Sequence, residues 1–240
     1  MSYFPNPAIG GVGEMTEYDN AVSLAIDTTN VYHSLYNVLL IAGTLDGWTF
    51  AAGISGAYTA IADLGVVGGV NQVRLTTAAP HTLAAGQMLD LTSASVAGYL
   101  TQAADANHNE NYYVIKNIPD NTHIDVVSAF LGTASGNWRK GAALVAGASA
   151  AGSYELFWSV TFQPSGTNKL YKFEPRINVT PVDTIVAETK PSTADPRAIA
   201  ASGFVVVAAG DRITLSCKNK TDTTDVTIIH ANIRVRRYLR

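Results

Sequence analysis

Cysteine is almost absent from this sequence. Its 240 residues include a single cysteine, Cys217. No intrachain disulfide and no cysteine-based metal site can therefore form. Cys217 alternates with Ile213 and Leu215, a pattern that predicts a core side chain on a β-strand.

Charged residues are also scarce, and their signs are unevenly placed. Asp, Glu, Lys and Arg make up 15% of the chain, and no Lys or Arg precedes Arg74. The net charge of −3 and the lack of a basic stripe with interleaved aromatics argue against direct nucleic-acid binding. Because interface cores are depleted of charge, the low charge content favours a surface partly buried against other subunits.

Arginine, in contrast, is concentrated at the far end of the sequence. Arg234, Arg236, Arg237 and Arg240 lie within the last seven residues. They form a candidate charged docking tail for an acidic partner. The alternative interpretation is a final strand whose arginines simply face water.

Long hydrophobic runs are missing. The longest aliphatic run extends only from Val38 to Ala42, far less than a membrane span requires. The first residues, MSYFPNPAIGGVGEM, lack the basic and apolar regions of a signal peptide. We therefore expect a protein that does not enter a membrane and that is made and kept in a cytoplasm, or is assembled there into something larger.

Catalytic and metal-binding motifs are missing as well. The sequence contains no Gly-x-Ser-x-Gly elbow, no Walker loop and no His-Glu-x-x-His helix. Its histidines lack the close spacing of a zinc site. The acidic pairs Asp120/Asp125 and Asp222/Asp225 are more typical of hairpin turns than of a calcium loop. We expect no enzymatic activity, no cofactor and no bound metal.

Alternation of apolar and polar residues dominates the second half of the chain. Between Tyr154 and Phe162 every second residue is apolar, which is typical of a half-buried strand. The same period recurs after Tyr171, after Phe204, after Ile213 and in the closing segment. In that closing segment the predicted core face consists of Thr227, Ile229, Ala231, Ile233 and Val235. Short strands without a long helical pattern predict an all-β sandwich or barrel.

The segment from residue 67 to residue 145 differs from the rest of the chain in the length and spacing of its predicted strands. Its short strand-like stretches are separated by Pro80, Gly86 and Pro119. Gly68-Gly69 precedes them and an Ala/Gly/Ser-rich stretch follows, so flexible joints are predicted at both ends. This arrangement is typical of a small domain inserted into a surface loop of a larger one. We predict an inserted domain at 67–145 and a discontinuous main domain at 21–66 and 146–240.

The first twenty residues carry aromatic and acidic side chains but no basic ones, with too little periodicity to fold alone. They are predicted to form an extended anchoring arm, with Tyr3, Phe4 and Val12 as anchoring residues and a hinge at Gly10–Gly13. Residues 31–41 fit a helix almost as well as a strand. A strand is favoured because the surrounding segments are β.

The C-terminal stretch resembles the jelly-roll head of the tumour necrosis factor and complement type. The resemblance is carried by the strand from Gly152 to Phe162, the block from Ser202 to Leu215 with its Gly210-Asp211 turn, and the final Arg-Val-Arg-Arg-Tyr-Leu-Arg. It implies an antiparallel jelly-roll sandwich that trimerises about its flat face.

The middle segment is similar to a small β-barrel module that recurs in phage tail proteins and in ubiquitin-activating enzymes. The matching stretches are Thr76–Leu83, Gly86–Leu91, Asn111–Ile115 and Asp120–Val126. Thr82 stands where the module usually has Gly, Gln87 where it usually has Asp, and the loop from Thr92 to Glu110 is long.

A jelly roll with this barrel inserted resembles a bacteriophage virion protein. The resemblance implies a non-enzymatic, trimeric capsid decoration or head-fibre protein, located in the virion, whose partners are two further copies of itself and the major capsid protein. Phe157 and Tyr238 are the predicted subunit contacts, since Phe157 interrupts the polar face of its strand. The alternatives are a tail or baseplate component and a carbohydrate-binding adhesin module, for which Trp48 and Trp138 are candidate sugar platforms.

Overall fold

The computed structural model describes residues 12–17, 22–24, 33–35, 41–92, 94–99, 113–178 and 180–238. Tyr3, Phe4 and Arg240 therefore lie outside the described residues. The predicted all-β fold, a jelly-roll sandwich with an inserted β-barrel, is confirmed. Short 3-10 turns occur at Ala97–Tyr99, Ala148–Ala150 and Asp183–Ile185. Over these ranges the chain has no helix that is long and apolar enough to cross a membrane.

The strands fall into three groups along the chain. The sandwich begins with β1 (Val12–Glu17), β2 (Val22–Leu24), β3 (His33–Ser34), β4 (Ile41–Asp46) and β5 (Trp48–Ala51). The barrel comprises β6 (Ile54–Val67), β7 (Val70–Thr77), β8 (Met88–Thr92), β9 (Tyr113–Asp120), β10 (His123–Val127) and β11 (Gly136–Lys140). The sandwich resumes with β12 (Ala143–Ala146), β13 (Gly152–Pro164), β14 (Tyr171–Ile177), β15 (Thr180–Pro181), β16 (Ala187–Thr189), β17 (Arg197–Val207), β18 (Arg212–Asn219) and β19 (Val226–Arg237).

Two antiparallel sheets form the sandwich. The first has the order β17-β13-β19-β1-β4, and β2 pairs with the early part of β19. The second has the order β15-β14-β18-β12-β5, with β16 on β14 and β3 on β18. The barrel closes in the order β10-β7-β6-β11-β8-β9. Each unit has its own apolar cluster, one around Tyr154, Trp158 and Phe162 and the other around Tyr58, Leu89 and Trp138.

Strand β13 is the best-predicted element. Its side chains at Tyr154, Leu156, Trp158, Val160 and Phe162 are fully buried, and the residues between them point outward. Cys217 is also fully buried, as predicted, and burial raises the pKa of its thiol well above the ordinary value.

Strand β19 departs from the predicted pattern at one residue. Thr161 is opposite His230 whereas Phe162 is opposite Ile228, so Ile229 is the extra residue of a β-bulge. Because of the extra residue, even-numbered side chains point into the core before the bulge and odd-numbered side chains do so after it. The core face therefore consists of Val226 and Ile228 before the bulge and Ala231, Ile233 and Val235 after it. The prediction was wrong for Thr227 and Ile229.

The limits of the barrel also differ from the prediction. Residues 54–66, assigned above to the main domain, lie in β6 and pair with β7 and β11 inside the barrel. Gly68 and Gly69, interpreted as a flexible joint, have φ angles of 60° and 82° and form the tight turn between β6 and β7. Two consecutive positive φ values are typical of the turn that suits the twist of a hairpin. At the other end, residues 143–145 lie in β12 of the sandwich.

The predicted anchoring arm is too long. Residues 12–17 form β1, which is paired on one side with β19 and on the other with β4. A Cβ atom on Gly13 would lie 2.8 Å from the Trp48 ring and 2.9 Å from Val235. Gly13 is therefore a close-packed position rather than a hinge, and Val12 is part of a sheet, where it pairs with Arg236 and Asp46. The prediction was wrong for both residues.

The junction between sandwich and barrel is narrow, which gives a testable prediction. Ala51 and Ala143 are directly opposite each other on β5 and β12, so their Cα atoms are about 5 Å apart. Replacing residues 53–141 by Asn-Gly would continue the ladder by one pair, Ala52 and Ala142, and join that pair through a two-residue hairpin loop. We expect a sandwich that unfolds cooperatively on heating and retains near-UV circular dichroism.

A second deletion provides the contrast. Removing residues 69–141 leaves the 14-residue strand β6 in place without β7 and β11. An unpaired strand of that length exposes its backbone groups and promotes aggregation, so we expect an insoluble product. If the Asn-Gly variant also aggregates, the sandwich depends on the barrel for its stability.

Candidate functional site

The outer face of the first sheet carries the predicted subunit contacts. Phe157 points outward from β13 with 41% of its surface exposed, and Tyr238, just beyond β19, is 48% exposed. Across the sheet, Phe157 is opposite Ser202 on β17 and Arg234 on β19. The backbone nitrogen of Tyr238 donates to the carbonyl oxygen of Ser153 at 3.0 Å, which holds Tyr238 beside the start of β13.

Two further apolar side chains share this face. Phe204 and Val206 on β17 are 63% and 77% exposed. The Phe204 and Tyr238 rings meet edge to face, with centroids 4.9 Å apart. With Ser153, Val205, Val206 and Tyr238, Phe204 lines a groove of about 500 Å³. We call Phe157, Phe204, Val206 and Tyr238 the apolar patch.

Strand β17 lies at the edge of the first sheet. Within the described residues it pairs only with β13, over eleven residues. After Arg197 it contains no charged residue, and its outward positions before Phe204 are the small side chains Ala198, Ala200 and Ser202. Long edge strands of monomeric proteins are normally protected by charges, prolines or bulges. Beyond Arg197 this edge has no charge and no proline, so its composition favours contact with another chain.

The arginines of the predicted docking tail have different roles. Arg234 and Arg236 are exposed, and Arg236 is opposite Glu155 on β13. Arg237 is half-buried, since its guanidinium donates to the carbonyl oxygens of Ser149 at 3.3 Å and Ala151 at 2.8 Å and lies 6.0 Å from the centre of the Tyr154 ring. Arg237 therefore holds the end of β19 in place, and among the described arginines of the tail Arg234 and Arg236 are the ones available to a partner.

The acidic residues considered above as calcium ligands are engaged in turns and ion pairs. Asp120 accepts a hydrogen bond from the Thr122 backbone nitrogen at 2.7 Å. This bond, followed by the hydrogen bonds from His123 and the Thr122 hydroxyl, lowers the pKa of Asp120 below its ordinary range. An ion pair with Lys169 is the largest contribution that lowers the pKa of Asp222. Asp125 forms a two-point ion pair with Arg74, at 2.6 and 2.9 Å. Among the described residues, no three potential metal ligands lie close enough together to hold an ion.

Neither tryptophan proposed as a sugar platform is exposed. Trp48 and Trp138 each have only 4% of their surface accessible. Trp48 packs edge to face on Tyr154, with ring centroids 5.3 Å apart, and Trp138 belongs to the barrel core. A stacking platform needs an open ring face, so the prediction was wrong for both residues.

Two cations meet where the barrel returns to the sandwich. Lys140 ends β11 with only 9% of its surface exposed, and Arg212 begins β18. Burial, with a smaller contribution from the charge of Arg212, lowers the pKa of Lys140 to about 8. Burial also lowers the pKa of Arg212. Two desolvated charges of the same sign destabilise the folded state.

The substitution Lys140→Met tests whether the buried charge of Lys140 destabilises the folded state. Below pH 8 Lys140 is charged in both the folded and the unfolded chain, and its burial opposes folding. Between about pH 8 and pH 10 the folded chain releases the proton first, so the unfolding free energy rises with pH. We expect Lys140→Met to raise the unfolding free energy at pH 7 by roughly 1–3 kcal/mol and to reduce the rise above pH 8.

Urea denaturation at pH 7 and pH 9.5 measures both effects. The matched control is Lys116→Met, because Lys116 is an exposed lysine of the same barrel. The control should change the unfolding free energy by less than about 0.5 kcal/mol. A Lys140→Met variant that is less stable than the parent at pH 7 would contradict the interpretation.

Comparisons with known proteins add little to this description. No protein-family model matches the sequence, and no curated protein matches it. Among solved structures, the chain is similar to an uncharacterized protein from Listeria monocytogenes, with 9% sequence identity and a TM-score of 0.24. The match covers 94% of this chain, which spans only 30% of the length of that protein.

Proposed function

We propose that this protein is a non-enzymatic structural protein of a bacteriophage virion, a trimeric decoration or head-fibre protein of the capsid. The observation that carries the proposal is the apolar patch beside β17, an edge strand of the jelly roll that has no charged residue after Arg197. Its four side chains are each more than 40% exposed in the single chain. Contiguous apolar surface of this kind marks a protein contact in soluble proteins.

The composition of the sheet supports a contact between identical copies. Charged residues lie among the apolar side chains of the patch: Glu155 is opposite Phe204 and Arg236, and Arg234 is opposite Phe157. Paired positive and negative charges beside apolar area allow identical surfaces to meet with complementary charge. The small side chains of β17 leave a flat surface that a neighbouring subunit can approach closely. Three copies about a three-fold axis would cover the edge of β17 in each subunit.

Attachment to the capsid is assigned to the residues before Val12. In the sheet, Val12 is opposite Arg236, so the chain joins the sandwich beside an exposed arginine. The preceding segment carries the aromatic residues Tyr3 and Phe4 and no basic residue. Aromatic side chains contribute large buried area when they enter a groove of a partner. The proposed partner for this segment is the major capsid protein.

The first test concerns the trimer. Sedimentation equilibrium of the parent chain should give three times its mass of 25.3 kDa. The double substitution Phe204→Glu/Val206→Glu places charges in the apolar patch and should weaken self-association by at least about 30-fold, or 2 kcal/mol per contact. The melting temperature extrapolated to low concentration should stay unchanged, because both side chains are exposed in the monomer.

The control is Val66→Glu, which adds a charge at an equally exposed valine of the barrel hairpin, where Val66 is 69% exposed. This variant should remain trimeric. A parent chain that is monomeric at micromolar concentration would remove the basis of the proposal.

The second test concerns attachment. Deleting residues 1–11 leaves β1 intact and should abolish co-sedimentation with capsids that lack this protein, while the trimer persists. The variant Arg234→Glu/Arg236→Glu tests the alternative contact; because both arginines lie beside the apolar patch, its binding is compared on the trimeric fraction alone. If the arginines carry the attachment, binding of the parent falls as salt is raised, whereas an aromatic anchor is insensitive to ionic strength. Full binding by the deletion variant would assign attachment to another surface.

A further inference from the structure

A small pocket lies in the barrel between the start of β6 and the turn that follows β7. Its walls are residues 54–57 and 78–82, and Trp138 of β11 lies at its base. The turn is fixed in place by two backbone hydrogen bonds, from Ala78 to the Ala57 oxygen at 2.9 Å and from His81 to the Asn121 oxygen at 2.8 Å. Trp138 is opposite Gly56, where a Cβ atom would lie 2.6 Å from the indole ring. Glycine at this position lets the indole lie against the strand backbone.

Two side chains that line the pocket each have a nitrogen without a hydrogen-bond partner. Only 4% of the Trp138 surface is exposed, and its Nε1 atom has no acceptor among the described protein atoms. The Nδ1 atom of His81 accepts a hydrogen bond from the Leu83 backbone nitrogen at 3.2 Å. The ring hydrogen of a neutral imidazole is then on Nε2, which likewise has no partner. Both nitrogens are therefore donors in need of an acceptor.

The remainder of the pocket lining restricts the type of acceptor. None of the lining residues is a Lys, Arg, Asp or Glu, so the pocket offers no counter-charge for a carboxylate. Ala57, Ala78, Ala79 and Pro80 provide small apolar walls. The volume is about 250 Å³, equal to roughly eight water molecules and below the range of pockets for drug-sized ligands. These features fit a small neutral group with a carbonyl oxygen on one side and a methyl group on the other.

We propose that this pocket binds an acetamido group of the kind carried by N-acetylated sugars. The carbonyl oxygen accepts from Trp138 Nε1 and His81 Nε2, and the methyl group contacts the alanine and proline wall. Both nitrogens expose less than 1 Å², so the side chains of residues 78–82 shift on binding, whereas the hydrogen bonds from Ala78 and His81 keep the turn backbone in place. This binding mode uses the N–H edge of Trp138 rather than its ring face. It involves the barrel alone and does not depend on the proposed virion role.

The test is a titration of the full-length, ¹⁵N-labelled protein followed through its three tryptophan indole N–H resonances. Comparison with a Trp138→Phe variant assigns the Trp138 signal. N-acetylglucosamine and N-methylacetamide should each shift that signal downfield in a saturable manner, whereas glucosamine should not. The signals of Trp48 and of Trp158, which donates to the Ile185 oxygen at 2.8 Å, should not move.

A matched pair of histidine variants tests the second donor. His81→Asn keeps an acceptor for the Leu83 nitrogen and removes the Nε2 donor, so it should weaken N-acetylglucosamine binding at least tenfold. His123→Asn changes another histidine of the barrel, which pairs with Asp120, and should bind like the parent.

Two results on the parent protein would overturn the proposal whether or not the variants fold. One is an equal response to glucosamine and N-acetylglucosamine, or no response to either. The other is a shift with acetate as large as that with N-methylacetamide, which would assign the pocket to anions.

Discussion

The pairing of β13 with both of its neighbours is the constraint on which the rest of the sandwich depends. Eleven residues of β13 are aligned with β17 on one side, and the strand is aligned with β19 along the other. Because side chains alternate with a period of two, this register places Tyr154, Leu156 and Trp158 in the core. It also places Glu155 and Phe157 outside. A shift of this register by one residue would turn the core side chains to the outer face and the outer side chains into the core.

The two sheets use the same alternation for different purposes. On the inner side of the first sheet it builds an aromatic core, in which Phe162 contacts Tyr171 and Phe173 across the sandwich at centroid distances of 5.6 and 5.0 Å. On the outer side of the second sheet it buries Glu174 and Arg176, which form an ion pair at 3.1 Å. The alternation after Tyr171 places these two residues on a polar face, and periodicity alone cannot tell a covered polar face from a solvated one.

Sequence reasoning succeeded where one pattern holds along a whole strand and failed where a single residue changes the pattern. The alternation around Trp158 predicted both faces of β13. It could not predict the bulge at Ile229, because Ile fits either face, nor the turn at Gly68-Gly69, because two glycines also suit a flexible linker. Phe204 and Val206 were missed for a related reason. In a run of Phe followed by three Val residues, only pairing with β13 determines which side chains point outward.

Of the candidate sites, the sequence indicated the contact face but not the barrel pocket. Phe157 was identifiable because it interrupts a polar series. The pocket depends on the alignment of Gly56 with Trp138, more than eighty residues later, and on the hydrogen bonds that hold the Pro80 turn. Such long-range alignment leaves no local signal. A lone tryptophan near a glycine indicated an exposed ring, whereas the structure buries the ring and leaves one N–H group without an acceptor.

The opposition of Ala51 and Ala143 has a mechanical consequence. A force that pulls the barrel away from the sandwich reaches the sandwich at two adjacent points, the end of β5 and the start of β12. The force then acts on the four residue pairs between these strands one pair at a time, beginning at Ala51 and Ala143, rather than on all four together. Strand β5 is an edge strand, so we expect it to separate first, together with its core residue Trp48, while β13, β17 and β19 keep their pairing. Pulling on the barrel is therefore expected to open the second sheet between β5 and β12 before the first sheet loses its pairing.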